Sequence, residues 1–148
     1  MLEESSLSRR EMAYKINYNK EQNYISATVD GEFSLSTVKE LAADVASFVE
    51  RYNCSLVLND LRHAKLTEGT LDIYNMPKSA RQAGVGSYLK RALVVSELSS
   101  NFRFLETVFI NQGHIVKMFT DIDDALHWLL SKEKSPKDEP GDQHTAQP

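Results

Sequence analysis

Cys54-Ser55-Leu56-Val57-Leu58-Asn59-Asp60-Leu61-Arg62-His63 is the segment on which the fold assignment turns. Leu56, Val57, Leu58 and, past two polar residues, Leu61 make a short apolar run that starts after Tyr52-Asn53 and ends in a charged pair. A strand buried on both faces reads this way, because both of its side-chain sets must leave water. The run is too short for a helix, and it directly follows a long amphipathic pattern. Open α/β sheets place binding sites at the C-terminal ends of central strands. Asp60, Leu61, Arg62 and His63 are therefore the first candidate site.

Upstream, Thr37 and Glu40 stand at capping-box spacing. Val38, Leu41, Val45, Phe48, Val49 and Tyr52 share one helical face, opposite Lys39, Glu40, Asp44, Glu50 and Arg51. Earlier still, Tyr14, Ile16 and Tyr18 alternate with Lys15, Asn17 and Asn19, the period-2 signature of a half-buried strand. A second strand over residues 24–29 follows a turn of four residues, so the two should form an antiparallel hairpin.

Downstream, residues 64–86 are the least regular part. Pro77 biases Met76 away from the α region, which predicts a short helix before Pro77 and another turn or two from Pro77 to Ala83. Gly84 and Gly86 would end it. Residues 92–95 read as a fourth strand. Ser99, Ser100 and Asn101 offer caps for a helix bearing Phe102, Leu105, Val108 and Phe109, which closes at Gly113. Residues 115–119 read as a fifth strand. Thr120 or Asp121 caps a last helix with Ile122, Ala125, Leu126, Leu129 and Leu130 on its inner face, and Asp121, Asp123 and Asp124 favour its positive end.

The alternation predicts an α/β domain. Its sheet is mixed, mostly parallel and five-stranded, opened by an N-terminal antiparallel hairpin and covered by about four helices. Residues 1–12 read as a flexible arm and residues 13–132 as one domain. Residues 133–148 hold three of the four prolines and no apolar residue larger than alanine, which predicts a disordered tail.

Composition narrows the function classes. A chain of 148 residues can bury one core, and 41% hydrophobic with 26% charged residues is ordinary for a globular domain. A net charge of −4 without a basic cluster argues against nucleic acid and against an anionic membrane surface. No stretch approaches the roughly 20 apolar residues of a membrane span. A single cysteine and a polar N-terminus fit a cytoplasmic protein.

Catalytic signals are absent. Cys54 begins a buried strand and reads as a small core residue. No Gly-x-Ser-x-Gly elbow occurs. His63, His114, His127 and His144 are far apart, without partners at ligand spacing, so they read as structural or solvated and predict no metal and no cofactor. Gly84-Val85-Gly86 lacks the lysine of a phosphate loop. A phosphoacceptor receiver domain is excluded, since Asp30 stands alone before Gly31 and Lys117 precedes Met118 rather than proline.

Asn59-Asp60-Leu61-Arg62 closing a buried strand resembles the SpoIIAA-like branch of STAS-type domains. So do Asp72-Ile73-Tyr74 and Phe119-Thr120-Asp121-Ile122-Asp123-Asp124-Ala125-Leu126-His127-Trp128-Leu129. The likeness spans roughly residues 14–131. It implies a small non-enzymatic domain with a mixed sheet. In the family's anti-sigma-factor antagonists, a serine just after the Asp-ending strand is phosphorylated and switches partner binding. The matching positions here are Leu61 and Arg62, with no serine or threonine until Thr67, so the resemblance implies a module without that switch.

Three functional expectations follow. One is a protein-interaction or regulatory module docking through the rim at Asp60, Leu61, Arg62 and His63, with an unknown protein partner and with homodimer formation open. The alternative is a carrier for a small apolar ligand or lipid, its pocket lined by Tyr74, Met76, Val85 and Tyr88. The third is an enzyme using Asp60 or His63 as a general acid or base.

Overall fold

The structure, a computed structural model, describes residues 6–9 and 14–132. Its sheet has six strands lying side by side in chain order: β1 (Ser6–Arg9), β2 (Tyr14–Asn19), β3 (Tyr24–Glu32), β4 (Leu56–Lys65), β5 (Lys90–Val94) and β6 (Ile115–Phe119). The pairs β1–β2 and β2–β3 are antiparallel, and β3 through β6 run parallel. Between and after them lie α1 (Leu35–Tyr52), α2 (Thr70–Gln82), α3 (Ser100–Asn111) and α4 (Ile122–Leu129).

This order explains the layering. Parallel strands added always on the same side, each through a right-handed crossover, put every crossover helix on one face. Helix α1 packs on α2 and α2 on α3 there, while α4 crosses the opposite face over β4, β5 and β6. Strand alternation then splits the core in two. Ile16, Ile25, Val57, Leu61 and Leu93 meet Leu41, Val45, Met76 and Leu105 under α1–α3. Leu58, Ala92 and Val94 meet Ala125, Trp128 and Leu129 under α4. Each fully buried aliphatic side chain contributes about 1.5–3 kcal/mol.

The mixed, mostly parallel α/β sheet is the architecture expected, with four differences in detail. First, the sequence reads residues 1–12 as an arm, but Ser6–Arg9 pairs with residues 14–17 as an edge strand, making the sheet six-stranded. Second, α1 starts a turn earlier than the Thr37 box implies. Ser34 is the cap, its Oγ accepting from the Thr37 amide at 3.2 Å, while the Thr37 hydroxyl donates to the Glu32 carbonyl. Third, α2 is one helix, with Pro77 in its interior. An internal proline costs about 3 kcal/mol, and here burial of Ile73, Met76 and Ala80 along the same helix offsets it. Fourth, β5 begins at Lys90, so two basic residues enter the buried strand.

Gly84 ends the α2 segment as the sequence implies. Its φ of +116° suits glycine, and a Cβ there would sit 2.9 Å from the Ala46 Cβ on α1. Ser99 and Asp121 cap α3 and α4, accepting from the Phe102 and Asp123 amides. Residues 133–148, read as a disordered tail, lie outside the described residues.

Candidate functional site

The end of β4 is built by two features of strand geometry. Residues two apart in a strand share a face, so Asp60 and Arg62 lie together. Arg62 folds back on the carboxylate with Nε donating to Oδ1 at 2.9 Å and Nη2 to Oδ2 at 2.7 Å, and its own amide donates to Oδ1 at 3.1 Å. The Arg62 hydrogen bond is the main cause holding the Asp60 carboxyl below its usual range, against a smaller opposing effect of burial.

The second feature is a change of partner. Strand β5 accompanies β4 only as far as the Asp60–Val94 pair. Past a register shift between Thr28 and Asp30, His63, Ala64 and Lys65 pair with Asp30, Gly31 and Glu32 of β3. This ribbon is tied down by the Phe33 amide on the Lys65 carbonyl at 2.8 Å and the Asn101 amide on the Leu66 carbonyl at 2.8 Å.

The four rim residues therefore differ in kind. Arg62 and His63 are exposed, and Asp60 is buried beneath the guanidinium. Leu61 points the other way and is 1% exposed, a core residue. Asp60, with both oxygens held by a cation, is a poor general base or acid near neutral pH. The strands follow one another without reversal, so the crevice that a topological switch point creates does not arise between β3 and β6.

The second set does not converge on one pocket. Met76 and Val85 are buried in the core at 0% and 2% exposure, whereas Tyr74 and Tyr88 are exposed. Positions 74 and 76 lie about 200° apart around a helix, so one must turn out when the other turns in. Of the four, Tyr88 borders an open groove of about 460 Å³ with Leu56, Lys90 and Ile115. Val85 instead lines an interior cavity of about 40 Å³ beneath α1–α3.

Sequence reasoning missed a second charged constellation. Arg91, on β5, faces the α1–α3 side at 7% exposure. Its Nη2 lies 2.8 Å from His114 Nδ1, and its Cζ sits 4.6 Å from the centre of the Phe109 ring. Arg81 reaches the other imidazole nitrogen, with Nη2 3.2 Å from Nε2, and donates to the Gln112 carbonyl at 2.7 Å. A guanidinium only donates and a neutral imidazole has one acceptor nitrogen, so the shorter contact takes it. Nδ1 accepts from Arg91, Nε2 carries the hydrogen, and Arg81 stands beside Nε2 as a close neighbour rather than as its donor. Burial first, then Arg91 and Arg81, push the His114 pKa down to about 3. Burial lowers that of Arg91 to about 10. The signal was present in Lys90-Arg91: adjacent strand residues face opposite sides, so one of the two had to enter the larger core.

Cys54 is buried, and desolvation raises its thiol pKa, which makes a poor nucleophile. Among the described residues, no three His, Cys, Asp or Glu side chains gather as a metal site, and no helix is long and apolar enough to cross a membrane.

No family model and no curated protein matches the chain. Among solved structures, the chain is similar to an anti-sigma factor antagonist from Mycobacterium paratuberculosis. The two share 15% identity and a TM-score of 0.55, over 84% of this chain and 100% of that one. At such identity the likeness is one of fold. The SpoIIAA/STAS-like architecture implied by the sequence is the one the chain adopts.

Proposed function

We infer that the chain is a non-enzymatic, cytoplasmic interaction module that docks a protein partner through the end of β4. The observation that carries the reading is the fold itself, shared over 84% of the chain with a protein described as an anti-sigma factor antagonist. The rim supports the same reading. Arg62 and His63 are surface groups on a strand anchored by Leu61 on one side and by Asp60 on the other. Exposed residues on a rigid support are where binding concentrates. The module works without the serine switch: Leu61 is core, Arg62 is engaged with Asp60, and the hydroxyl of Thr67 donates to Glu32 at 2.9 Å.

Native mass spectrometry of the protein purified gently from its host tests this. A retained protein partner, lost with Arg62→Ala or Asp60→Ala while the fold persists, is the expected result. Undiminished partner binding by both variants would remove the docking surface from β4. The alternative, a carrier for an apolar ligand, draws its support from the groove beside Tyr88. A small adduct in the same spectra, lost with Tyr88→Ala, would favour it over docking. The enzyme reading has the least support, since the Asp60 carboxylate is pinned.

A further inference from the structure

The two basic residues at the start of β5 meet different chemistry. Lys90 faces α4, where its Nζ donates to the Trp128 carbonyl at 2.6 Å and the Ser131 carbonyl at 3.0 Å. Arg91 faces the larger core and meets a neutral imidazole and a phenyl ring. Its Nε is buried with no hydrogen-bond partner. Among the described residues, no carboxylate is paired with Arg91. A second guanidinium, that of Arg81, approaches the same imidazole from its far side. A desolvated cation without a counter-charge is among the costliest arrangements in a protein interior.

Arg91 also borders empty space. With Val57, Leu93 and Val116 from the strands, Asn59 from β4 and Phe109 from α3, it lines the cavity of about 40 Å³ beneath α1–α3. One water needs about 10–15 Å³, and a cavity that holds benzene measures about 150 Å³. The occupant therefore has a few heavy atoms. A neutral occupant would satisfy the Nε hydrogen and leave the charge uncompensated, whereas an anion does both. Arg62 shows that this side of a guanidinium accommodates an oxyanion, its Nε and Nη2 receiving the two oxygens of a carboxylate. In Arg91 the Nη2 already donates to His114, which leaves Nε as the free donor.

We propose that the cavity at Arg91 binds a small, planar, monovalent oxyanion of the formate, bicarbonate or nitrate class, received on the Nε edge of the guanidinium. Asn59 lines the same cavity, and its residue type carries a further donor. The site lies in the interior on the α1–α3 side of the sheet, so it stands whether or not β4 docks a partner.

The test uses the full chain and thermal unfolding at constant ionic strength, with sodium formate or sodium nitrate replacing sodium gluconate, whose anion is too large to enter. The Tm should climb by a few degrees and saturate, and Arg91→Met should abolish the climb. No saturable rise in the natural protein, or an equal rise in Arg91→Met, overturns the proposal. Should the variant fail to fold, NMR on the natural protein decides the matter. Saturating the methyl groups of Val57 and Val116 should attenuate the signal of added formate, and an unattenuated signal overturns the proposal.

Discussion

Arg62 and Arg91 sit on neighbouring strands of one sheet and illustrate two ways of holding a guanidinium. Arg62 keeps 40% of its side chain exposed and closes a bidentate pair with Asp60. Arg91 is buried, touches an imidazole and an aromatic ring, and has an orphan Nε. Water screens the first pair and replaces whatever a mutation removes, so its worth is small. Water cannot reach the second, so each change there is felt in full. Conspicuous ionic geometry at the surface is thus a weaker guide to energy than a quiet contact inside.

Four measurements put that contrast at risk. The largest effect is expected at Leu61, which stands between the two sites. Leu61→Ala should destabilise the fold by about 3 kcal/mol through lost burial and an enlarged cavity, read from urea unfolding. A cost below that of removing Arg62 would reverse the ranking of interior over rim.

Acid separates the two sites next. His114 is neutral when folded down to pH of about 3, whereas in the unfolded chain it takes a proton near its ordinary 6.5. Below pH 6.5 the unfolded state binds more protons, so stability falls with pH, by about 2 kcal/mol on going from pH 7 to pH 5. Asp60, with its carboxyl held low, contributes above the usual carboxylate range and loses that contribution only below about pH 4. Unfolding measured at pH 7 and pH 5 should show the loss in the natural protein and a flatter response in His114→Gln. Equal slopes would detach the effect from this ring.

Third, Arg91→Met removes a positive neighbour of His114. NMR titration should find its pKa moved up yet still below the ordinary value, since burial, the larger cause, remains. Arg62→Ala should leave that titration unmoved. The smallest effect is Arg62→Ala on stability, at most about 1 kcal/mol and shrinking with added salt. Urea unfolding at low and high ionic strength would read it, and a salt-independent loss would mark the pair as far less screened than its exposure implies.

How much of this was legible in the sequence follows from the range of the interactions. Alternation at Tyr14, Ile16 and Tyr18 and the stripe from Val38 to Tyr52 are local and appear as read, and the structure selects Ser99 from three candidate caps and Asp121 from two. Pro77 misled because its local bias was outweighed by the burial of Met76 and Ala80. The edge strand Ser6–Arg9 depends on pairing with β2, which its own composition does not announce. The pairing of Asp60 with Arg62 spans two residues and is as local as the caps. Arg91 and His114 are 23 positions apart and meet only because β6 lies beside β5 and α3 closes over both. That contact required the fold before it could be seen.

Each strand hydrogen-bonds to the one preceding it in the chain. No strand has to wait for a distant segment to arrive before finding a neighbour, so the loops closed during folding stay short and entropically mild. The hairpin of β2 and β3 offers an edge for β4, and every later β-strand finds its edge already laid down. A chain leaving the ribosome can therefore add its strands in the order in which they are made, with little unpaired edge exposed at any moment to another chain.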